Sequence, residues 1–284
     1  MINDNVPTNT TLYITQLPTM EKITMLGTGN ATVTHCFNTC FALQTDHTTL
    51  LVDAGGGNGI LSQLEKAHIS IASIHHLFVT HAHTDHILGT VWVMRMVASM
   101  KDYEGQFHVY ANDKATLVMR TIVDLTFSKK HLQKVEERIV FHTLSDGQVF
   151  QAGDISLRAF DIHSTKEKQY GFQATLPSSL VVACLGDEPY NALNHDSVFG
   201  ADFLMCEAFC LYEDRDRFKP YEKCHSTALD AGRLANELHV KNLILYHTED
   251  KTLATRQLRY TQEAAQGFKG RIFVPDDLDV IALS

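Results

Sequence analysis

A layered α/β domain is the fold class this sequence predicts, and three observations predict it. Short apolar and β-branched runs alternate with stretches of helical spacing along the 284 residues. The chain is 44% hydrophobic and 20% charged, enough apolar matter for a folded core and too much for disorder. No repeat, low-complexity tract or composition break divides it, so residues 1–284 read as one domain.

The elements follow in order. The runs "LYITQL", "KITMLG", "CFALQT" and "TTLLVDAGGG" lie close enough together to pair as a meander, and the last breaks at the glycines 55–57, where the backbone must turn tightly. A helix is expected over 60–67, then the strand "HHLFVT". Next comes a helix over about 88–100, because Ile87, Val91, Met94 and Ala98 recur at helical spacing. The strand "FHVYA" and a helix over 113–125 come next, then the polar helix "KKHLQKVEER", where Glu136 and Glu137 offset the basic residues and a solvated face outweighs a nucleic-acid patch. Ser226 and Thr227 are good N-caps for an amphipathic helix over 228–238. The segment after His247 reads as a helix capped near Gly267, followed by terminal strands.

Charge and composition narrow the function classes. A formal net charge of −9 argues against a broad electrostatic footprint for nucleic acid or anionic membrane and favours a small partner. The N-terminal stretch lacks a basic leader and a sustained apolar core, and no later run is long enough to span a bilayer. A soluble, cytoplasmic protein is therefore expected. The six cysteines contain no CxxC pair, which suits reduced, mostly buried thiols.

The chemistry concentrates in "FVTHAHTDHILG", residues 78–89, where His81, His83, Asp85 and His86 fall within six residues between a strand and a helix. His81 and His83, two apart on irregular backbone, can face one way while Asp85 and His86 face another, so one loop can serve two neighbouring ions. Four such groups buried without a cation would be costly. Lone histidines such as His35, His47, His131 and His239 are more often surface or satisfied residues and are set aside. The later strands repeat one feature: "ISLRAFDIH" stops on His163, "LVVACLGD" on Asp187, "DFLMCE" on Glu207 and "NLILYH" on His247. Strand ends are where sites assemble in layered α/β folds, so these runs are expected to converge on one pocket. Two divalent ions, zinc first and manganese second, suit this nitrogen and oxygen donor set, and Asp187 is the candidate bridge.

"THAHTDHILG" resembles the HxHxDH signature of the metallo-β-lactamase fold superfamily, and the flanking segments resemble its ribonuclease Z and phosphodiesterase branch. "LGTGNATVTHCFNT", "LLVDAGGG" and "HSTALDAGRLANELHVKNLILYH" are similar to that branch's opening, pre-motif and closing segments, so the resemblance covers about residues 22–250. It implies a four-layer αββα sandwich binding two metal ions. His81, His83 and His163 would hold one ion, Asp85, His86 and His247 the other, with Asp187 bridging. It further implies that Asp85 orients or deprotonates the attacking water, and that Glu207 and His225 form a proton relay at the leaving group. A homodimer is also expected from the resemblance.

Two departures limit the transfer. Ribonuclease Z proteins usually carry a tRNA-grasping arm between the strand histidine and the bridging aspartate, whereas only residues 164–186 stand here between His163 and Asp187. Cys206 replaces the histidine of the usual HEA strand end, and Glu188 replaces the threonine of the usual Gly-Asp-Thr. The expected activity is a dinuclear metal-dependent phosphodiesterase acting on a small phosphodiester or an RNA end. Ribonuclease Z activity is the runner-up, and a lactonase or thioesterase on the same fold, which would not need the Glu207–His225 relay, is the third reading. A flavin-coupled di-iron oxidoreductase and a non-catalytic binding module are less favoured.

Overall fold

The structure is a computed structural model and describes residues 20–283. The run "LYITQL" lies outside the described residues. One seven-stranded sheet contains β1 (Lys22–Gly27), β2 (Cys40–Gln44), β3 (Thr49–Val52), β4 (His76–Val79), β5 (Phe107–Ala111) and β6 (Ile139–Thr143), with β14 (Val280–Ala282) beside β1. The other runs β7 (Val149–Ala152), β8 (Ile155–Asp161), β9 (Tyr170–Thr175), β10 (Val181–Cys184), β11 (Phe203–Glu207), β12 (Asn242–Tyr246) and β13 (Arg271–Phe273) in spatial order. Each sheet is half meander and half parallel: β1–β2–β3 pair antiparallel before β3–β6 turn parallel, and β7–β10 pair antiparallel before β10–β13 turn parallel. The meander read from the sequence is present from β1 onward.

Three apolar layers hold this arrangement together, and strand alternation builds them. Phe41, Leu43, Leu50, Val52 and Phe78 of the first sheet meet Phe172, Val182, Phe203, Met205 and Ile244 of the second in the central layer. The intervening residues Ala42, Leu51, Leu77 and Val109 point the other way, against α1 (Gly59–Lys66), α2 (Thr84–Ser99), α3 (Asp113–Thr126) and α4 (Lys129–Arg138). Ala183, Leu204, Leu243 and Leu245 likewise face α5 (His195–Val198), α7 (Ala228–Glu237) and α8 (Leu253–Ala264), while the short α6 (Arg215–Phe218) lies on the loop before α7. Strands buried on both faces must be apolar at nearly every position, which is why "FLMCE" and "NLILY" read as unbroken runs. The result is the αββα sandwich. No helix among the described residues is long and apolar enough to cross a membrane.

The structure corrects two details. The helix expected from residue 88 begins at Thr84, because His83 takes the extended N-cap conformation and its carbonyl already accepts the N–H groups of His86 and Ile87. Asp85 and His86 are therefore on the first turn of a helix rather than on irregular loop. Helix α8 ends at Ala264, with Ala265 as a right-handed C-cap, so Gly267 is not a left-handed helix stop.

Candidate metal centre

The centre is assembled where β3, β4, β10, β11 and β12 end, with the first turn of α2 closing it. Helix α2 sits tightly against the end of β3: the N–H of Gly89 donates to the Gly55 carbonyl at 2.8 Å, and that of Ala54 donates to the His86 carbonyl at 3.1 Å. A Cβ at position 89 would lie 1.8 Å from the Ala54 oxygen, so only glycine allows this approach. The backbone places His247 immediately after β12 in a left-handed conformation, φ 58°, which takes the chain sharply out of the strand.

Three imidazoles converge on one carboxylate oxygen. The Nε2 atoms of His81, His86 and His247 lie 3.6, 3.4 and 3.6 Å from Oδ2 of Asp187. Asp85 Oδ2 adds a second oxygen 3.3 Å from His86 Nε2. His81, His86 and Asp187 form one group of buried donors whose ligand atoms all lie within 4.8 Å of one another, and Asp85, His86 and His247 form a second. His83 meets the first group through its Nδ1, 2.8 Å from His81 Nε2. His163 stands apart: it follows β8 in a left-handed conformation, is exposed, and belongs to neither group.

The other ring nitrogens are tied down, and this fixes which atom is left to bind. His86 Nδ1 lies 2.7 Å from Asp53 Oδ2, His81 Nδ1 2.9 Å from Thr80 Oγ1, and His247 Nδ1 3.1 Å from Thr39 Oγ1. Asp53 is itself held by the N–H and hydroxyl of Thr80, at 2.8 and 2.7 Å. Gln169 Nε2 donates to Asp187 Oδ1 at 2.5 Å, leaving Oδ2 to face the histidines. Such an outer layer orients ligands around an ion. His86 Nε2 is buried and has no hydrogen-bond partner among the described residues, a cost that a coordinated cation removes. The residues therefore fit a divalent ion with nitrogen and oxygen ligands.

Burial and charge pull against each other throughout this cluster. Burial would raise the carboxyl groups of Asp85 and Asp187. For Asp85 the rings of His86 and His247 outweigh it, and for Asp187 those of His81, His86 and His247 do. Both are held well below the usual carboxylate range. Burial lowers His81 well below its ordinary value and pushes His247 down to about 3. Burial also pulls on His86, yet Asp53, Asp85 and Asp187 outweigh it and hold that ring well above the ordinary histidine range. The carboxylates thus favour positive charge inside the enclosed cluster.

Beside the cluster, Glu207 is fully buried at the end of β11, and its carboxylate accepts the N–H groups of Ser226 at 2.5 Å and Phe209 at 3.1 Å. Burial raises its carboxyl, with His225 and Ser226 opposing. His225 Nδ1 stands 3.6 Å from Glu207 Oε2, longer than a hydrogen bond, and has no hydrogen-bond partner among the described residues. The ring of Phe209 stacks on His225 with centroids 4.7 Å apart, and His225 lies 5.4 Å from His247. Thr227, not Ser226, caps α7, in a capping box with Asp230. A cavity of about 390 Å³ opens over the cluster, lined by His83, Asp85, Asp187, Phe209, His225 and His247.

Of the residues named from the sequence, His81, His83, Asp85, His86 and His247 gather with Asp187, Glu207 and His225 stand beside them, and His163 stays apart. Asp53, Thr80, Thr39 and Gln169 were not found as site residues. Asp53 ends the apolar run of β3 just as Asp187 follows that of β10, so the strand-end rule could have found it. Nothing local distinguishes the two threonines or Gln169. Tyr246, whose hydroxyl donates to the Gly186 carbonyl, belongs to the central core and steadies the turn before Asp187.

The chain is similar in sequence and fold to known proteins. Residues 21–269 match the family described as "Anti-Pycsar protein Apyc1". A ribonuclease Z from Natronomonas pharaonis is 24% identical over 310 residues, covering 92% of this chain and 97% of the relative. The short form of human tRNase Z superposes with a TM-score of 0.73 at 20% identity, covering 93% of this chain and 99% of that one. Unliganded yeast PDE1 superposes with a TM-score of 0.72 at 12% identity over the same shares. The chain belongs to the anti-Pycsar protein Apyc1 family and is a metal-dependent hydrolase of the metallo-β-lactamase superfamily, in its ribonuclease Z and phosphodiesterase-like branch.

Proposed function

We propose that the chain is a dinuclear metal phosphodiesterase acting on a small phosphodiester such as a cyclic nucleotide. The observation that carries this reading is the convergence of three imidazole Nε2 atoms on Asp187 Oδ2, beneath a cavity that also holds His225. His81, His83 and His163 would hold one ion, which requires His163 to turn inward. Asp85, His86 and His247 would hold the other, with Asp187 between them. Two zinc ions, or manganese in their place, would acidify the attacking water and neutralise charge on the phosphate oxygens.

The chain's own groups supply the rest. Asp85 aligns the water and takes its proton as the oxygen bonds to phosphorus. The departing P–O bond leaves an alkoxide, and His225 gives it a proton. The buried Glu207 carboxylate accepts the N–H of Ser226, which follows that histidine, and of Phe209, whose ring stacks on it, and faces its Nδ1. The cavity size is that of a small-molecule site.

The test is hydrolysis of bis-(p-nitrophenyl) phosphate and of 3′,5′-cyclic nucleotides by protein loaded with zinc or manganese. Turnover is expected to fall by at least about 100-fold in Asp85→Ala. Near wild-type turnover in that variant would overturn the scheme. Absence of any phosphodiester cleavage with both ions bound would move the reading to carboxylic esters, lactones or thioesters. The full-length match to ribonuclease Z favours a second reading, tRNA 3′ processing. Against it, β9, β10 and short loops are all that lie between His163 and Asp187. Efficient cleavage of precursor tRNA at its 3′ trailer would reverse that order.

A further inference from the structure

We infer that Lys166 and Lys223 form an anion-holding wall of this pocket, and that Glu188 is the internal carboxylate that occupies Lys166 until an anionic substrate arrives. The inference rests on the phosphodiesterase reading and deepens it by naming what selects a charged substrate over a neutral ester.

Both lysines line the cavity together with Asp85, Asp187, His225 and His247. They come from two loops that meet there: Lys166 Nζ donates to the Lys223 carbonyl at 3.0 Å, and Thr165 Oγ1 lies 3.9 Å from Cys224 Sγ. Lys223 Nζ stands 4.9 Å from the centre of the Phe209 ring, the ring that stacks on His225, and no carboxylate pairs with it among the described residues. The neighbouring lysines are committed elsewhere. Lys168 donates to Asp113 at 2.7 Å, and Lys114 donates to Glu167. Lys166 and Lys223, by contrast, line the cavity over the reacting centre.

Glu188 explains how this wall is kept in place. It is buried, follows Asp187 directly, accepts the Ser164 hydroxyl at 2.6 Å, and lies 3.5 Å from Lys166 Nζ. Ser164 Oγ in turn accepts the N–H groups of Lys166 and Glu167, each at 3.1 Å. One carboxylate therefore shapes the 164–167 loop and holds its lysine at a distance longer than a strong charge-assisted bond. A lysine is suited to such an exchange, since its flexible stem carries a point charge with three donors. In a chain of net charge −9 the two lysines add local positive charge at the mouth of the pocket.

The test is calorimetric titration of inorganic phosphate into the zinc-loaded full chain, with zinc content measured for every variant. Lys166→Ala and Lys223→Ala are each expected to weaken binding by about 3- to 10-fold with zinc retained. Glu188→Gln keeps an acceptor for Ser164 but removes the competing charge, and is expected to tighten binding by about 3-fold. The opposite signs separate an exchange from a purely structural role. Unchanged binding in both lysine variants, no phosphate binding by the wild type, or weakened binding in Glu188→Gln would each overturn the inference. Turnover is read separately: the lysine variants are expected to raise KM for bis-(p-nitrophenyl) phosphate and leave kcat within about 2-fold. Phosphate binding that follows the predicted signs in a protein that cleaves no phosphodiester would preserve the anion wall and refute the reaction.

Discussion

This protein carries two histidine clusters on the same sheet, and only one has the character of a metal centre. His81, His83 and His86 follow β4, where each of the two enclosed rings has its Nδ1 held from behind and its Nε2 directed at Asp187. His76, His108 and His142 lie on β4, β5 and β6 with Tyr110, on the side facing the second sheet. There the rings satisfy one another: His108 Nδ1 and His142 Nε2 are 3.0 Å apart, and His76 Nδ1 lies 3.2 Å from the Tyr110 hydroxyl. The electrostatics diverge accordingly. Burial and neighbouring rings push His76 down to about 4, with Asp154 pulling weakly the other way, whereas the carboxylates around His86 reverse the effect of burial. The lesson is that carboxylates in front and acceptors behind distinguish the candidate metal centre, and the number of histidines does not.

The largest expected effect breaks the metal centre alone. Asp187→Ala should abolish phosphodiester turnover and release metal, because the removed oxygen is common to His81, His86 and His247. His108→Ala should leave both activity and metal content intact. A smaller effect sharpens the role of the groups behind the rings: Asp53→Ala frees His86 Nδ1 and should weaken metal affinity by about 10- to 100-fold, read by competition with a chelator. The smallest effect concerns pH. A His76 that titrates near 4 in the fold and near the ordinary value of about 6.5 when unfolded binds more protons in the unfolded chain between those values. Burial lowers His108 and His142 in the same direction. The His76 contribution to stability is therefore full above about pH 6.5 and lost progressively as pH falls toward 4. Thermal unfolding of the metal-free protein should show a shallower pH slope over that window in His76→Gln, and an unchanged slope would contradict this.

Much of the candidate metal centre was legible because its residues carry rare chemistry at strand ends. The apolar runs of β10, β11 and β12 each lead to Asp187, Glu207 or His247, and the sandwich places those ends side by side. The start of α2 was misplaced because hydrophobic periodicity begins only at Ile87, while the helix is nucleated earlier by the extended His83. The groups behind the ligands were harder to see. Thr39 reaches His247 across 208 positions and Gln169 reaches His81 across 88, so only tertiary structure pairs them. Arg256, fully buried and bonded to Thr28, Thr248 and the Pro275 carbonyl, was invisible for the same reason, although it ties together loops that flank the centre.

The most direct test of the central claim is the number of metal ions bound per chain, read by native mass spectrometry of the zinc-loaded wild type, Asp187→Ala and His108→Ala. Two ions in the wild type, fewer than two in Asp187→Ala and two in His108→Ala are the predicted result. Retention of both ions without Asp187, or loss of an ion without His108, would contradict the assignment of the dinuclear centre to the cluster around Asp187.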